Sequence, residues 1–224
     1  TESFDDLYTS YESDGSVPRK TIGAQELFLD ILKERAETGR LYIMNIDHCN
    51  SHSSFLDKVE MSNLCQEITL PTKPLEHIDD PNGEIALCIL SAVNVGKIRD
   101  LDDLKVLCDL AVRSLDELID FQNYPINAAE IATKARRSLG IGFIGLAHYL
   151  AKHGHDYNDP GAWQLVHNLT EAFQYYLISA TVDLAEEKGA CEYSSRTKYG
   201  NGILPIDTYK HDVDEIVPNE LHYD

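Results

Sequence analysis

Apolar positions recur at helical spacing along most of the chain. Phe4, Leu7, Tyr8 and Tyr11 fall at i, i+3, i+4 and i+7, which predicts a short amphipathic helix. Asp14-Gly15-Ser16-Val17-Pro18 breaks it. Leu27, Phe28, Ile31 and Leu32 predict a second helix that ends near Gly39, with Lys33 and Arg35 close to its C-terminus. Leu101 to Phe121 predicts a third, with Leu104, Leu107, Ala111, Leu115 and Leu118 on one face. Ile131 to Ser138 also reads as helix. The longest spans Ala162 to Glu187, where Leu165, Val166, Leu169, Phe173, Tyr176, Leu177, Ala180 and Leu184 recur at three- and four-residue steps, and Gly189 is its stop.

Strand patterns are fewer. Leu41 to Ile46 reads as a short apolar strand, and Asp47 to Met61 as a polar loop. Ile85 to Val95 is the most apolar run, rich in Ile, Leu and Val, and fits a strand covered on both faces, with Cys88 inside it. Ser62 to Pro71 reads as an extended segment. Alternation there puts Asn63, Cys65 and Glu67 on one edge and Leu64, Gln66 and Ile68 on the other. A thiol between an amide that donates and accepts and a carboxylate that takes a proton is a reaction centre in outline. The same spacing also fits an ordinary strand with a half-buried Cys and a solvated Glu. Cys88 by itself fits a buried small hydrophobe, and Cys108 on the third helix reads as packing.

Composition narrows the partners. A formal net charge of −19 over 224 residues argues against nucleic acid or an anionic membrane, both of which reward Lys and Arg clusters. A nucleotide substrate is still compatible, because backbone N–H groups at a helix start hold phosphate without basic side chains. No window approaches about eighteen uninterrupted apolar residues, and no signal peptide is visible. Five cysteines (Cys49, Cys65, Cys88, Cys108, Cys191) without C-x-x-C spacing fit a reducing, cytoplasmic setting better than a disulfide framework or zinc site.

Three other patterns need weighing. Gly140-Ile141-Gly142-Phe143-Ile144-Gly145 matches the dinucleotide pattern G-x-G-x-x-G, but that pattern needs an apolar strand directly before it, and here a charged helix precedes. Small residues at close helix contacts are the preferred account. His48 and His52 flank Cys49 at a spacing that suits a metal on a helix, but the segment reads as loop, so no metal is expected. His148, His153 and His155 read as a solvated helix end. Cys65 would be a hydrolase nucleophile if His48 or His52 served as its base, although a carboxylate two residues away disfavours the thiolate.

Ser62-Asn63-Leu64-Cys65-Gln66-Glu67-Ile68-Thr69-Leu70-Pro71, continuing Thr72-Lys73-Pro74-Leu75, resembles the active-site finger loop of the class I ribonucleotide reductase large (alpha) subunit. Asn82-Gly83-Glu84-Ile85-Ala86-Leu87-Cys88 resembles that family's next strand. Further matches are Gly39-Arg40-Leu41-Tyr42-Ile43, Asp47-His48-Cys49-Asn50, Arg136-Arg137-Ser138-Leu139-Gly140-Ile141-Gly142 and Gly202-Ile203-Leu204-Pro205-Ile206-Asp207-Thr208-Tyr209-Lys210. The resemblance covers nearly the whole chain, in the family's order.

What it implies is an α/β fold: part of a ten-stranded α/β barrel, helix-rich, with a central finger loop at about 47–71. Residues 1–22 would form an N-terminal helix and linker, and 23–224 the central barrel segment. Cys65 would be the transient thiyl radical that takes the 3′ hydrogen of a ribonucleoside diphosphate. Glu67 would be the general base for the 3′-OH, and Asn63 would orient the ribose, with Leu64 and Gln66 also lining the substrate. Cys88 would be half of a redox-active dithiol, reduced afterwards by thioredoxin or glutaredoxin.

The resemblance also implies a diiron-tyrosyl radical in a partner small subunit and ATP/dATP-type allosteric effectors bound elsewhere, with no cofactor on this segment. The work served would be deoxyribonucleotide biosynthesis for DNA replication. The family's second redox cysteine lies upstream of the matched portion, and its phosphate loop and radical-relay tyrosines lie downstream. The chain alone is therefore expected to be inactive. The alternatives are a structural fragment that completes a partner's barrel, or the cysteine hydrolase.

Overall fold

The computed structural model describes residues 2–205 and 207. It divides into two compact units, Thr1–Met44 and Asn45–Asp224. The end of the last matched motif, at Ile206 and from Thr208 to Lys210, lies outside the described residues, as does the remainder of the chain.

The first unit holds helices α1 (Glu2–Ser13) and α2 (Ala24–Thr38). The break after α1 is an Asx turn in which Asp14 accepts from the Ser16 N–H at 2.8 Å. Gly39 ends α2 in the left-handed region at φ 66°, and its N–H donates to the Arg35 carbonyl. The segment from Leu41 to Asn45 is not a strand. An extended run becomes a strand only where a neighbour completes its ladder, and Ile46 already opens the next helix.

In the second unit that helix, α3 (Ile46–His52), replaces the expected loop. Its sequence is poor in helix formers, and a contact distant in sequence holds it. The Asn50 side-chain N–H donates to the Val59 carbonyl at 2.8 Å, and Asn50 Oδ1 accepts from the Val59 N–H at 2.9 Å. Val59 itself is buried.

Strands β1 (Leu90–Asn94) and β2 (Gly140–Ile144) pair in parallel, Leu90 opposite Gly140 and Asn94 opposite Ile144. Parallel neighbours need a crossover. Here α4 (Leu101–Phe121) and α5 (Asn127–Arg136) carry it. Asp100 caps α4 by accepting from the Asp103 N–H at 2.9 Å, and Asp102 and Asp103 lie at its positive end. After β2 come α6 (Leu146–Lys152) and the 29-residue α7 (Pro160–Lys188). Asp159 caps α7 with Pro160 at its first position, and the N–H of Gly189 closes it on the Ala185 carbonyl.

Helices α4 and α7 pack together over one face of the two strands. Val93, Val95, Ile98, Leu104, Cys108, Tyr149, Leu169, Ala172 and Phe173 form the main core there. Phe143 meets Phe173 edge-to-face at 5.6 Å between ring centroids. Cys108 is packing, as expected. Ion pairs fasten the helix ends: Arg113 to Glu187 at 2.7 Å, Lys188 to Asp116 at 3.0 Å and Arg137 to Asp116 at 2.6 Å.

Three expectations change. The buried face of α4 is Leu104, Cys108, Val112, Leu115 and Ile119, while Leu107 and Leu118 are exposed. The predicted stripe was correct at Leu104 and Leu115 but rotated toward the apolar residues outside the contact with α7. The strand begins at Leu90 rather than Ile85, and Leu90, Ala92 and Asn94 are exposed, so only one face is covered. Only two strands lie side by side among the described residues. Finally, Gly140 and Gly142 sit in β2 rather than at a helix contact. A Cβ on Gly140 would come within 2.5 Å of Leu90 Cδ2. Gly145, at φ 82°, turns the chain from β2 into α6, with the Asn94 side chain 2.5 Å from where its Cβ would be.

Candidate functional site

Asn63 organises the local geometry. Its N–H donates to the Ile68 carbonyl at 3.4 Å, its carbonyl accepts from the Gln66 N–H at 3.1 Å, and its Oδ1 accepts from the Ile68 N–H at 3.0 Å. These bonds close residues 63–68 into a turn. Gln66 occupies the left-handed region at φ 63°, a conformation that L side chains adopt at some cost. The segment is therefore not extended, and strict alternation of faces does not apply to it. Asn, which bonds its own backbone two or more residues on, favours turns over ladders. Leu64 stands at the tip, 88% exposed, with Cys65 exposed beside it.

The turn faces Cys88, twenty-five residues further on. Asn63 Nδ2 donates to Cys88 Sγ at 3.5 Å. Cys88 is exposed and lies two residues before β1 rather than inside a strand. Its burial, slight as it is, pushes the thiol up from its ordinary value; the Glu67 charge and the Cys65 thiol push the same way, and the Asn63 hydrogen bond opposes them. All four of the expected catalytic and redox residues, Asn63, Cys65, Glu67 and Cys88, thus act on one small region. The arrangement keeps Cys88 a thiol at neutral pH. That suits a reductant that gives up hydrogen more than a nucleophile that must be a thiolate. The Asn63 amide keeps its second N–H for another acceptor.

The turn is rooted in a buried ionic cluster that the hydrophobic pattern did not reveal. Glu84, 2% exposed, meets Arg136 at 2.6 Å and Lys73 at 2.6 Å. Asp57 meets Arg136 at 2.9 Å and Arg196 at 2.8 Å. Aromatic rings flank the guanidinium groups: Arg136 lies 5.8 Å from the Phe55 centroid and 5.2 Å from that of Tyr193, and Arg196 lies 3.9 Å from Tyr193. Main-chain bonds stitch the same places. Lys73 and Glu84 exchange N–H to carbonyl bonds at 3.0 and 3.2 Å, and Leu56 donates to the Arg196 carbonyl at 3.0 Å. The available signal was Glu84 standing directly before an apolar run, and Arg136 at the end of an alanine-rich helix. Charges at such borders need partners.

Burial alone would push the Glu84 carboxyl up, but Lys73 and Arg136 outweigh it and hold the group below its ordinary value. Asp57 follows the same balance, burial against Arg196 and Arg136. A carboxyl lowered in the folded state contributes stability above its unfolded pKa and loses that contribution as pH falls through the folded value. Stability should therefore be level from neutral pH to about pH 5 and fall steeply below about pH 4. In Glu84→Gln the acid loss should be shallower, measured by urea unfolding across pH; an unchanged slope would remove Glu84 from the account.

Among the described residues no group of three His, Cys, Asp or Glu side chains is placed to hold a metal. His48 and His52 do lie one turn apart on α3, contrary to the loop reading. His148 and His153 are exposed near the end of α6, and His155 bonds Asp159 at 2.7 Å. No described helix is long and apolar enough to cross a membrane.

Residues 1–222 match the model of the ribonucleotide reductase barrel domain. The whole chain is similar to the ribonucleoside-diphosphate reductase subunit alpha of Haemophilus influenzae, 56% identical over 226 aligned residues and covering 30% of that protein. It is 55% identical to ribonucleoside-diphosphate reductase 1 subunit alpha of Escherichia coli K12, again over all of this chain and 30% of the relative. With the subunit alpha of Enterobacteria phage T4 the identity is 40%, over 96% of this chain and 28% of that protein. The chain thus spans less than a third of the length of the curated relatives it matches.

Proposed function

The chain belongs to the ribonucleotide reductase barrel-domain family, and from that premise we propose that it supplies the catalytic loop of a large subunit that reduces ribonucleoside diphosphates to 2′-deoxyribonucleoside diphosphates. The observation that carries the proposal is the contact of Asn63 with Cys88 at 3.5 Å. It brings the turn bearing Cys65 and Glu67 to a second thiol, which is what a reaction needing one radical thiol and one reducing thiol requires.

In this reading Cys65, at the exposed tip, is the thiyl that removes the 3′ hydrogen of the substrate. Glu67 takes the 3′-OH proton as general base. The free N–H of Asn63 orients the ribose, with Leu64 and Gln66 beside it. Cys88 gives hydrogen as half of a dithiol, so two electrons pass to substrate and a disulfide forms, to be reduced again by thioredoxin or glutaredoxin. The second thiol, the phosphate-binding groups, the effector sites and the radical-bearing small subunit belong to the remainder of the assembly. The partially completed sheet, with β1 exposed on one face, accords with a barrel finished by that remainder.

The test is reduction of a ribonucleoside diphosphate by the chain alone, and by the chain mixed with the remaining large-subunit segments and the small subunit. Turnover is expected only in the mixture; turnover by the chain alone would overturn the division of labour. Cys88→Ser in the complete enzyme should form essentially no deoxyribonucleotide even with thioredoxin present, because the disulfide whose formation supplies the two electrons of each turnover cannot form. Undiminished multiple turnover would assign the reducing thiol elsewhere.

A further inference from the structure

The buried ionic cluster has no place in the chemistry above, yet its members bracket every residue that does. Asp57 precedes Asn63 by six positions, Lys73 follows Glu67 by six, and Glu84 precedes Cys88 by four. Each is a root of the segment that carries the reacting groups. Arg136, from the end of α5, contacts two of these roots at short range, 2.9 Å from Asp57 and 2.6 Å from Glu84, and is the more buried of the two arginines that reach both acids. It is itself buried, with ring faces of Phe55 and Tyr193 beside it. A planar guanidinium held in this way has little freedom to move, and it holds one carboxylate, Glu84, by a hydrogen bond and a second, Asp57, by an ion-pair contact.

We propose that Arg136 is a positioning residue whose guanidinium, shared between Asp57 and Glu84, sets the distance between the Asn63–Glu67 turn and Cys88. The inference rests on the catalytic-loop reading for its meaning, and on the geometry alone for its existence. The other cations hold these roots from more exposed positions. Lys73 reaches Glu84 from the exposed side, and Arg196 reaches Asp57 and, at 3.5 Å, Glu84. Three cations therefore meet two carboxylates. Removing Arg136 leaves both carboxylates with a cation, so the expected consequence is slack between the two roots rather than collapse. A methionine in its place fills most of the volume but cannot bridge the two acids, and a lysine offers them a single point charge in place of the rigid two-armed guanidinium.

The experiment uses the complete large subunit with its small subunit, in wild type, Arg136→Met, Arg136→Lys and Glu84→Gln. The first readout is kinetic. With the loop displaced by as little as 1 Å, kcat should fall roughly 10- to 100-fold while KM for the nucleoside diphosphate moves no more than about threefold. The lysine variant should fall between wild type and methionine. The second readout requires no turnover: the pH profile of Cys88 alkylation by iodoacetamide, resolved by mass spectrometry. In wild type Glu67→Gln should move this profile toward lower pH, because one source of the Cys88 shift is the Glu67 charge. In the Arg136→Met background the profile should already be displaced, and Glu67→Gln should move it no further.

An Arg136→Met protein that keeps both its kcat and the wild-type response to Glu67→Gln would overturn the proposal. So would a loss of kcat that tracks a loss of folded protein while the Cys88 profile of the folded fraction is unchanged, since that marks a purely structural residue. Should Arg136→Met not fold, Arg136→Lys and Glu84→Gln carry the same two readouts. Failure of the functional reading looks different: Cys65→Ser would still reduce substrate, whereas the coupling between Arg136, Glu67 and Cys88 is measured without chemistry.

Discussion

Replacing Cys65 by serine in the complete enzyme is expected to reduce deoxyribonucleotide formation below about one part in ten thousand, the scale of loss when a group that makes the reacting bond is removed. The proposed step needs a hydrogen-atom carrier. Serine keeps the size, position and hydrogen-bonding ability of cysteine, but its O–H bond is far too strong to give up a hydrogen atom and yield the radical. The exposed tip tolerates the change structurally, because Cys65 lies in no core cluster and Asn63 rather than Cys65 closes the turn. Loss of turnover should therefore come with an unchanged melting temperature. Turnover above one per cent of wild type would refute the assignment of Cys65.

A second large effect concerns stability and the phase of α4. Leu104 is fully buried in the main core. Leu104→Ala should cost about 2–5 kcal/mol through lost burial and the cavity left behind. For a unit of this size that lowers the melting temperature by roughly 5–15 °C. Leu118, on the same helix but 43% exposed, should cost less than about 1 kcal/mol on the same replacement. Denaturant unfolding of the two variants decides between the observed face and the stripe that the spacing alone predicts. Equal losses would mean that the helix buries both residues in the assembled protein.

The difference between those two leucines shows what a pattern can and cannot tell. Periodicity identifies a helix from Leu101 to Phe121, and the structure adds the Asp100 cap and the Asp102 and Asp103 charges at its start. The phase of the stripe was read from the leucines. It is set by Cys108, Val112 and Ile119, which meet α7 and the sheet. A helix with apolar residues on more than one face has several acceptable stripes, and only the neighbour chooses.

The same distinction runs through the loop. The residue types at Asn63, Cys65 and Glu67, and their likeness to a reductase finger loop, were readable from the chain. Their geometry was not. Alternation assumes a ladder, and the Asn63 amide instead closes a turn on Ile68. Helix α3 was likewise hidden, because its stability comes from Asn50 bonding Val59 nine residues away. The ionic cluster was hidden for a related reason: Asp57, Lys73, Glu84, Arg136 and Arg196 are scattered over 140 positions, and charge alone does not say which residues meet.

By itself, then, the sequence determined the long helices α4 and α7, the Gly189 stop of α7 and the family, and it supplied the residue types at Cys65 and Cys88 on which the proposed chemistry rests. These depend on local propensity, on residue type and on order along the chain. Only the tertiary structure decided that residues 63–68 form a turn, that β1 starts after Cys88 and leaves a face open, and that Arg136 joins Asp57 to Glu84. Each of those depends on contacts between residues far apart in sequence, whose energies no local window contains.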